Sequence, residues 1–164
     1  MNYPKFKYIE NAEDVIQFSD KIKKCDCCGK ETNLFTDFIY SQNNVNVICS
    51  DCIISGLACE KFEGEFNEVP YINNKSAMEE LSKRTPHLST YQEIEWPVCC
   101  NDFCKYLRTC TSKDLKDNQI LKDLEETFDD DFFSFEEIKK FNPNFLQLFK
   151  CIKCEKYYVK VDLD

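Results

Sequence analysis

Histidine is almost absent from this chain, which contains only His87 among its 164 residues. Catalytic metal sites of metallohydrolases and nucleases usually combine an open coordination position with a histidine base or several histidine ligands. A single histidine that follows a proline in a loop-like segment cannot supply that set. The composition therefore disfavours these enzyme classes, and His87 is expected to be a surface residue, with an additional ligand or a base as the alternative.

Long hydrophobic runs are also missing. The N-terminal residues contain no apolar stretch of the about seven to fifteen residues that a signal peptide requires. No segment approaches the roughly 20 apolar residues of a membrane span. We therefore expect a cytoplasmic protein that makes no membrane contact, in a compartment where cysteine thiols stay reduced.

Basic residues are outnumbered, with 21 Lys and Arg against 30 Asp and Glu and a formal net charge of −9. Binding to nucleic acid without sequence preference depends on Lys and Arg that neutralise phosphates, so an acidic chain is repelled by that polyanion. The short lysine run at 21–24 is typical of a solvated surface. Nucleic acid is therefore not expected as a partner, although a nucleic-acid-binding regulator remains a weaker alternative.

Cysteine, by contrast, is abundant, and eight of the 12 cysteines form four close pairs. Thiol pairs separated by two or three residues, recurring at loop-sized intervals, are typical of zinc sites in which two backbone knuckles each supply two ligands. We predict two structural zinc ions. The predicted ligands are Cys25, Cys28, Cys49 and Cys52 for the first ion, and Cys100, Cys104, Cys151 and Cys154 for the second.

Several alternatives to this assignment stay open. A site of four thiolates can bind iron as well as zinc. Cys99 could replace Cys100 as a ligand, and Cys27 could be a spare ligand at the first site. Disulfides are disfavoured by a reducing compartment, and a redox CxxC motif is disfavoured because no βαβ pattern surrounds Cys49 and Cys52. Cys59 and Cys110 are expected to be small buried hydrophobic residues.

The pattern of residues predicts an α+β fold. After a short helix at 12–18, the N-terminal module (1–70) contains the Cys25–Cys28 knuckle, a hairpin with strands at 34–40 and 45–49, and a helix at 51–62. A glycine, Gly29, follows the knuckle and permits the positive φ of its turn. This order is typical of a treble clef, and a zinc ribbon, which requires a third strand, is the alternative.

The C-terminal module (71–164) is predicted to be zinc-ribbon-like. We expect a helix at 75–84, a strand at 91–96, and strands at 145–149 and 157–163 around the last knuckle. A helical, acidic insertion at 105–148, with helices near 115–124 and 135–141, separates the two cysteine pairs. We expect both modules to pack as one compact unit.

The insertion contains a strongly acidic segment, in which eight of the fifteen residues from 123 to 137 are acidic and none is basic. Phenylalanines are interleaved with these acids, and the segment lacks the glycine and the spacing of a calcium loop. One interpretation is a solvated surface whose phenylalanines pack inward. The other is an acidic docking face for a basic protein partner.

Across nearly its whole length the chain resembles the CbrC family, a largely uncharacterised group of bacterial cytosolic proteins. The resemblance is carried by Cys25-x-Cys-Cys28-Gly29-Lys30, Cys49-x2-Cys52-Ile53, Ala58-Cys-Glu60-Lys61-Phe62, Gly64-Glu-Phe66, Arg84-Thr85-Pro86, Trp96, Cys100-x-Asp102-x-Cys104 and Cys151-x2-Cys154. The chain departs from the family at Cys99, where the family can carry histidine, and in a longer acidic insertion from Asp123. The family is named after a member linked to a stress regulon and to colicin tolerance.

Two classes of function follow from these observations. The first is a non-catalytic, zinc-stabilised protein-interaction module, with the stress or colicin-tolerance role that the resemblance implies. The second is an enzyme or redox protein that uses a zinc-bound or free thiol. The closed four-cysteine sites favour the first class, because they leave no open metal position.

Overall fold

A computed structural model describes residues 2–163 and divides the chain into two compact units, one up to Ser89 and the other from Thr90. Both units combine short helices with small antiparallel sheets, so the predicted α+β class is confirmed. Within the described residues, no helix has the length and apolar character required to cross a bilayer.

The first unit is built on a three-stranded antiparallel sheet of strands β1 (Gln17–Lys24), β2 (Glu31–Thr36) and β3 (Ile48–Cys49). The central strand β2 pairs with β3, placing Phe35 opposite Cys49. The predicted hairpin pairing therefore exists, although its first strand starts earlier and its second strand is shorter than expected. The sheet brings the end of β3 beside the loop that joins β1 to β2.

The prediction of a helix at 12–18 is wrong beyond its first residues. Only Ala12–Asp14 forms a single 3-10 turn, and β1 begins at Gln17. Phe18 lies opposite Leu34 of β2. Pairing with a strand that is distant in sequence outweighs local helix propensity here.

Three helices complete the first unit: α1 (Ser50–Ile54), α2 (Leu57–Phe62) and α3 (Lys75–Arg84). The helix predicted at 51–62 is broken at Gly56, whose φ of 75° ends α1 in the left-handed region that glycine adopts readily. The helix predicted at 75–84 is confirmed, and the Asn74 side chain accepts a hydrogen bond from the Ala77 amide at 3.1 Å.

Helix α3 belongs to the first unit, whereas the predicted boundary lay before it at residue 70. The Phe66 amide donates to the Ser82 carbonyl at 2.7 Å. The buried Asn67 side chain donates to the carbonyls of Leu81 at 3.0 Å and Thr85 at 2.8 Å. These bonds attach the end of α3 to the segment that follows α2.

The second unit contains a hairpin of β4 (Val98–Cys99) and β5 (Asp102–Phe103) and a three-stranded antiparallel sheet. The sheet order is β6 (Lys105–Thr109), β7 (Leu146–Lys150) and β8 (Tyr157–Val161). The two strands predicted around the last knuckle are therefore confirmed. Strand β6 was not predicted and lies within the segment that was assigned to the helical insertion, which therefore starts later than residue 105.

The strand predicted at 91–96 is absent from the structure, which shows these described residues as irregular chain. Side chains hold this segment in place instead of a sheet ladder. The Asp162 carboxylate accepts hydrogen bonds from the amides of Tyr91 at 2.8 Å and Gln92 at 3.2 Å. The backbone amides at the start of this segment are thus bonded to a side chain and not to a neighbouring strand.

Helices α4 (Asn118–Thr127) and α5 (Phe135–Ile138) form the insertion and cover the sheet. Their buried residues join those of β7 and β8 in one core cluster, which comprises Cys110, Ile120, Leu124, Ile138, Leu146, Leu148, Val159 and Val161. Phe128, Phe133 and Phe135 pack against this cluster, as the inward-facing interpretation predicted. Phe132 does not, and its side chain is 86% exposed.

A buried carboxylate fixes the turn between β6 and α4. Asp114 accepts hydrogen bonds from the Thr111 amide at 2.7 Å and from the Thr111 hydroxyl at 2.8 Å, and it pairs with Arg108. Burial alone would raise the pKa of Asp114, but the Thr111 donors and the Arg108 guanidinium outweigh it and hold this pKa below its ordinary value.

We predict that Asp114→Asn destabilises the second unit by about 1.5–3 kcal/mol, because a buried acceptor of charged hydrogen bonds is lost. The stabilisation from Asp114 is present above the pKa of an unfolded aspartate and is lost as pH falls through the lower folded-state pKa. Thermal unfolding followed by the fluorescence of Trp96, the only tryptophan in the chain, measures both effects. Asp117→Asn is the control, since asparagine also caps a helix well. Equal stability of the two variants would contradict the role of Asp114.

Candidate metal centres

The first cysteine group lies at one end of the β1–β2–β3 sheet. Cys25 and Cys28 are in the loop between β1 and β2, Cys49 ends β3, and Cys52 is in the first turn of α1. Their four sulfur atoms all lie within 4.8 Å of one another. The Cys25 and Cys52 sulfurs are 3.9 Å apart, and those of Cys28 and Cys49 are 3.7 Å apart. The structure thus brings together all four residues predicted for the first site.

These separations fit a tetrahedral metal and do not fit disulfides. Four sulfurs at about 2.3 Å from a central zinc lie about 3.8 Å from one another. A disulfide would require about 2.05 Å, and all 12 cysteines are free. The donor set is therefore compatible with one metal ion bound by four thiolates.

The Cys25–Cys28 loop is held in its knuckle conformation by backbone hydrogen bonds. The Cys25 amide donates to the Lys30 carbonyl at 2.9 Å, and the Gly29 amide donates to the Cys25 carbonyl at 2.8 Å. Gly29 has a φ of 76°, which a residue with a Cβ adopts only at a cost. The predicted role of Gly29 in this turn is thus confirmed.

Two further contacts fix this knuckle against the rest of the unit. The Asp26 carboxylate accepts hydrogen bonds from the amides of Asn46 at 2.9 Å and Val47 at 3.0 Å, which lie just before β3. The Lys61 ammonium donates to the carbonyls of Asp26 at 2.8 Å and Cys27 at 2.5 Å. Asp26 therefore joins the two halves of the ligand set, and Lys61 places a positive charge beside it.

The four thiols of the first group differ in acidity. A hydrogen bond from the Lys30 amide lowers the pKa of Cys28 to about 7. Burial raises the pKa of Cys49 to about 11, and burial also raises that of Cys52. Neighbouring thiolates repel one another, so a bound cation is required to keep all four deprotonated together.

The second cysteine group consists of Cys99, Cys100, Cys151 and Cys154, whose sulfurs also lie within 4.8 Å of one another. The Cys99 sulfur is 3.6 Å from that of Cys100 and 3.5 Å from that of Cys154. Three of the four residues predicted for the second site are present. Cys99 stands where Cys104 was expected, so the group differs from the predicted set at one position.

A tight turn explains why two adjacent cysteines share one group. Cys100 and Asn101 join β4 to β5, and their φ angles of 53° and 54° are both left-handed. This is the backbone of a two-residue hairpin turn, for which asparagine is a preferred residue. The sequence signal for this arrangement was Asn101, directly after the two adjacent cysteines. It was missed because the two ligands of a pair were expected to be two or three residues apart.

Cys104 is fully buried beside this group. Its amide donates to the Pro97 carbonyl at 2.9 Å, and its carbonyl accepts a hydrogen bond from the Trp96 indole at 2.6 Å. Burial raises the pKa of the Cys104 thiol. These features are typical of a cysteine that packs in a core.

The last knuckle repeats the hydrogen bonds of the first. The Cys151 amide donates to the Lys156 carbonyl at 2.8 Å, and the Glu155 amide donates to the Cys151 carbonyl at 3.1 Å. Glu155 takes the place of Gly29 with a φ of 62°. Burial opposes ionisation of Cys151, but the Cys154 and Lys153 amides donate to its sulfur and contribute to lowering its pKa to about 7.

The two groups differ in their exposure to solvent. Three of the four cysteines are buried in the first group and only Cys28 is exposed, whereas in the second group Cys100 and Cys154 are exposed and only Cys151 is buried. Cys59 and Cys110 are buried, as predicted, and burial raises the pKa of both to about 12. His87 lies outside both groups and stacks on Phe38 with ring centroids 4.4 Å apart.

The sequence profile of an uncharacterised protein family, UPF0167, matches residues 3–163. The chain belongs to the UPF0167 family. The match spans both cysteine groups of this UPF0167 member, so both units belong to the family domain.

A relative in Pseudomonas aeruginosa, UPF0167 protein PA1536, is 32% identical over 89 residues, which cover 50% of this chain and 50% of the relative. The chain thus spans about half the length of this curated relative. No solved structure matches the chain.

We predict that removing the glycine of the first knuckle destabilises the protein and that introducing a glycine into the last knuckle stabilises it. Gly29→Ala should cost about 1–2 kcal/mol because its φ is left-handed, while the added Cβ would approach only the Lys24 side chain, at 3.7 Å. Glu155→Gly should stabilise the second unit by about 1 kcal/mol for the same reason. Thermal unfolding of the metal-loaded protein measures both changes. Glu155→Ala is the control, since it keeps the left-handed backbone and removes only the ion pair with Lys150. Stabilisation by alanine as large as that by glycine would contradict the argument.

We predict that Cys99, rather than Cys104, is required for the second metal ion. Native mass spectrometry should find one metal ion per chain in Cys99→Ser and two in Cys104→Ala, because Cys104 lies outside the group of converging sulfurs. Cys110→Ala serves as a control for the loss of a buried cysteine from the same unit. Two ions in Cys99→Ser together with one in Cys104→Ala would contradict this prediction and would show that Cys104 is the ligand paired with Cys100.

Proposed function

We propose that this UPF0167 member is a non-catalytic protein-interaction module whose two units are each stabilised by one structural zinc ion. The observation that carries the proposal is the pair of four-cysteine groups. Each provides a complete tetrahedral set of thiol ligands, and such a set leaves no coordination position for a substrate or a catalytic water.

The order of elements supports zinc modules of known architecture. In the first unit the ligands come from a knuckle, a short return strand and the first turn of a helix, as in a treble clef. The additional strand β1 is the third strand that a zinc ribbon, the alternative architecture for this unit, requires. In the second unit the knuckles lie at the ends of antiparallel strands, as in a zinc ribbon. We assign zinc rather than iron because structural four-cysteine sites are its usual environment.

The partner we propose is a basic protein. The formal charge of −9 becomes about −13 when two zinc ions each bind four thiolates. A surface of that sign attracts cationic proteins and repels nucleic acid. We further propose that the UPF0167 and CbrC families are one group, so that the chain is a cytoplasmic factor in stress or colicin tolerance.

A thiol-dependent redox function is the second candidate, and one observation favours it. Cys100 and Cys154 are exposed in the second group, where an oxidant or an electrophile could reach them. Nucleic-acid binding is a weaker candidate, because the charge of the chain opposes it.

Metal content and thiol reactivity test the proposal together. We predict that native mass spectrometry finds two zinc ions per chain and that the eight grouped cysteines resist alkylation. Chelation should remove both ions and unfold the chain cooperatively, because metal binding and folding are coupled in small zinc modules. Lowering the pH should have the same effect, since protons compete with the metal for the thiolates.

The fluorescence of Trp96 and circular dichroism report this unfolding. A compact fold that persists after complete metal removal would refute the structural role of the metal. Rapid alkylation of Cys100 or Cys154 in fully loaded protein would favour the redox candidate instead.

A further inference from the structure

A groove of about 330 Å³ lies in the second unit, away from the cysteine group. One wall is the irregular segment that precedes β4 and contains Glu93 and Glu95. The other wall is the segment between α4 and α5, which contains Asp129, Asp130 and Asp131. Lys160 of β8 also lines the groove.

The groove is strongly acidic. Five carboxylates and one ammonium line it, and that ammonium, on Lys160, already lies 3.9 Å from the Glu95 carboxylate. Carboxylates grouped along one groove create a local negative potential. A cationic ligand is attracted to such a surface.

The carboxylates are distributed along the groove and do not converge on one point. Among the residues that the structure describes, only the two cysteine groups bring three or more candidate metal ligands within 4.8 Å of one another. A metal ion requires such convergence. The distribution of charge therefore fits an extended ligand that carries several positive charges better than it fits a bound cation.

An exposed aromatic ring stands in the same groove. The Asp130 carboxylate accepts hydrogen bonds from the amides of Phe132 at 2.9 Å and Phe133 at 3.1 Å. This turn directs Phe133 onto the core, where it contacts Phe141 with ring centroids 4.9 Å apart. It leaves the Phe132 side chain 86% exposed. An aromatic face beside carboxylates is a suitable contact for a guanidinium or an ammonium group.

From these observations we propose that the groove binds a short segment of a partner protein that is rich in arginine and lysine. The carboxylates on the two walls pair with the cationic side chains, and Phe132 packs against one guanidinium or its aliphatic stem. The inference rests on the proposed interaction function and assigns that function a site and a ligand chemistry. A polypeptide fits better than a small polyamine, because the apolar ring needs an apolar stem to cover it.

The test uses the metal-loaded full chain and a fluorescein-labelled nine-residue peptide in which arginine and lysine alternate with serine. Fluorescence anisotropy measures the dissociation constant at low and at moderate salt. Phe132→Ala should weaken binding about tenfold, as expected for a central aromatic contact. The double variant Asp129→Asn/Asp131→Asn should weaken it by about the same factor, and Lys160→Gln should strengthen it, because it removes the positive charge from the groove.

The control removes two negative charges elsewhere, in the first unit. Asp20 and Glu68 are exposed, so Asp20→Asn/Glu68→Gln changes the net charge as much as the groove variant does. We expect this control to bind within about twofold of the unchanged chain, because distant surface charges are screened at moderate salt. Spermine at the same charge concentration should displace the peptide only weakly.

Three results would overturn the inference: no peptide binding, equal weakening in the control and groove variants, or spermine that competes as well as unlabelled peptide. Equal weakening with strong salt dependence would leave the proposed interaction with basic proteins intact and would remove only the groove as its site. Metal content, counted by native mass spectrometry in the same samples, tests the zinc proposal independently of peptide binding.

Discussion

Convergence of four sulfurs from segments that are distant in sequence is the constraint on which both units depend. The first group joins cysteines 27 residues apart, and the second joins cysteines 55 residues apart. The strands that carry Cys49 and Cys99 have only two residues each, and strands this short are not stable on their own. A metal that crosslinks the ligands would remove much of the loop-closure entropy of the unfolded chain. The short strands around each group are therefore the elements to which a bound metal would add most stability.

The two knuckles show how one backbone requirement can be met by different residues. Both use the same pair of hydrogen bonds and the same left-handed residue after the second cysteine, which is Gly29 in one and Glu155 in the other. Glycine adopts this φ without a steric penalty, whereas glutamate does not. The second group is also the more exposed one. Strain and exposure together make it the site from which a metal would exchange more readily.

The four cysteines chosen from the sequence for the first site are the ones that the structure brings together, because all of their signals were local. The knuckle carries its own glycine, and the following strands return the chain to it. In the second group the structure has Cys99 where Cys104 was chosen from the sequence, because spacing alone cannot show that Asn101 allows two adjacent cysteines to share a turn. The break at Gly56 had a local signal, a glycine inside a helical pattern, which the prediction of one helix did not use. Strand β1 and the irregular segment at 91–96 were missed for another reason. Each depends on contacts with residues far away in sequence, such as Leu34 for β1 and Asp162 for Tyr91, and no local pattern encodes them.

Negative charge is compensated differently at the two cysteine groups and in the acidic groove. Each cysteine group has a lysine that donates to knuckle carbonyls: Lys61 at 2.8 Å from the Asp26 oxygen in the first, and Lys153 at 2.8 Å from the Cys100 oxygen in the second. If each group binds a divalent ion, these ammonium groups would offset the negative charge that the four thiolates retain. Five carboxylates and one ammonium group, that of Lys160, line the groove beside Phe132. This local excess of negative charge attracts cations, and an aromatic side chain left in solvent gains nothing from folding. A cationic partner that covers the groove would both pair with the carboxylates and bury the ring.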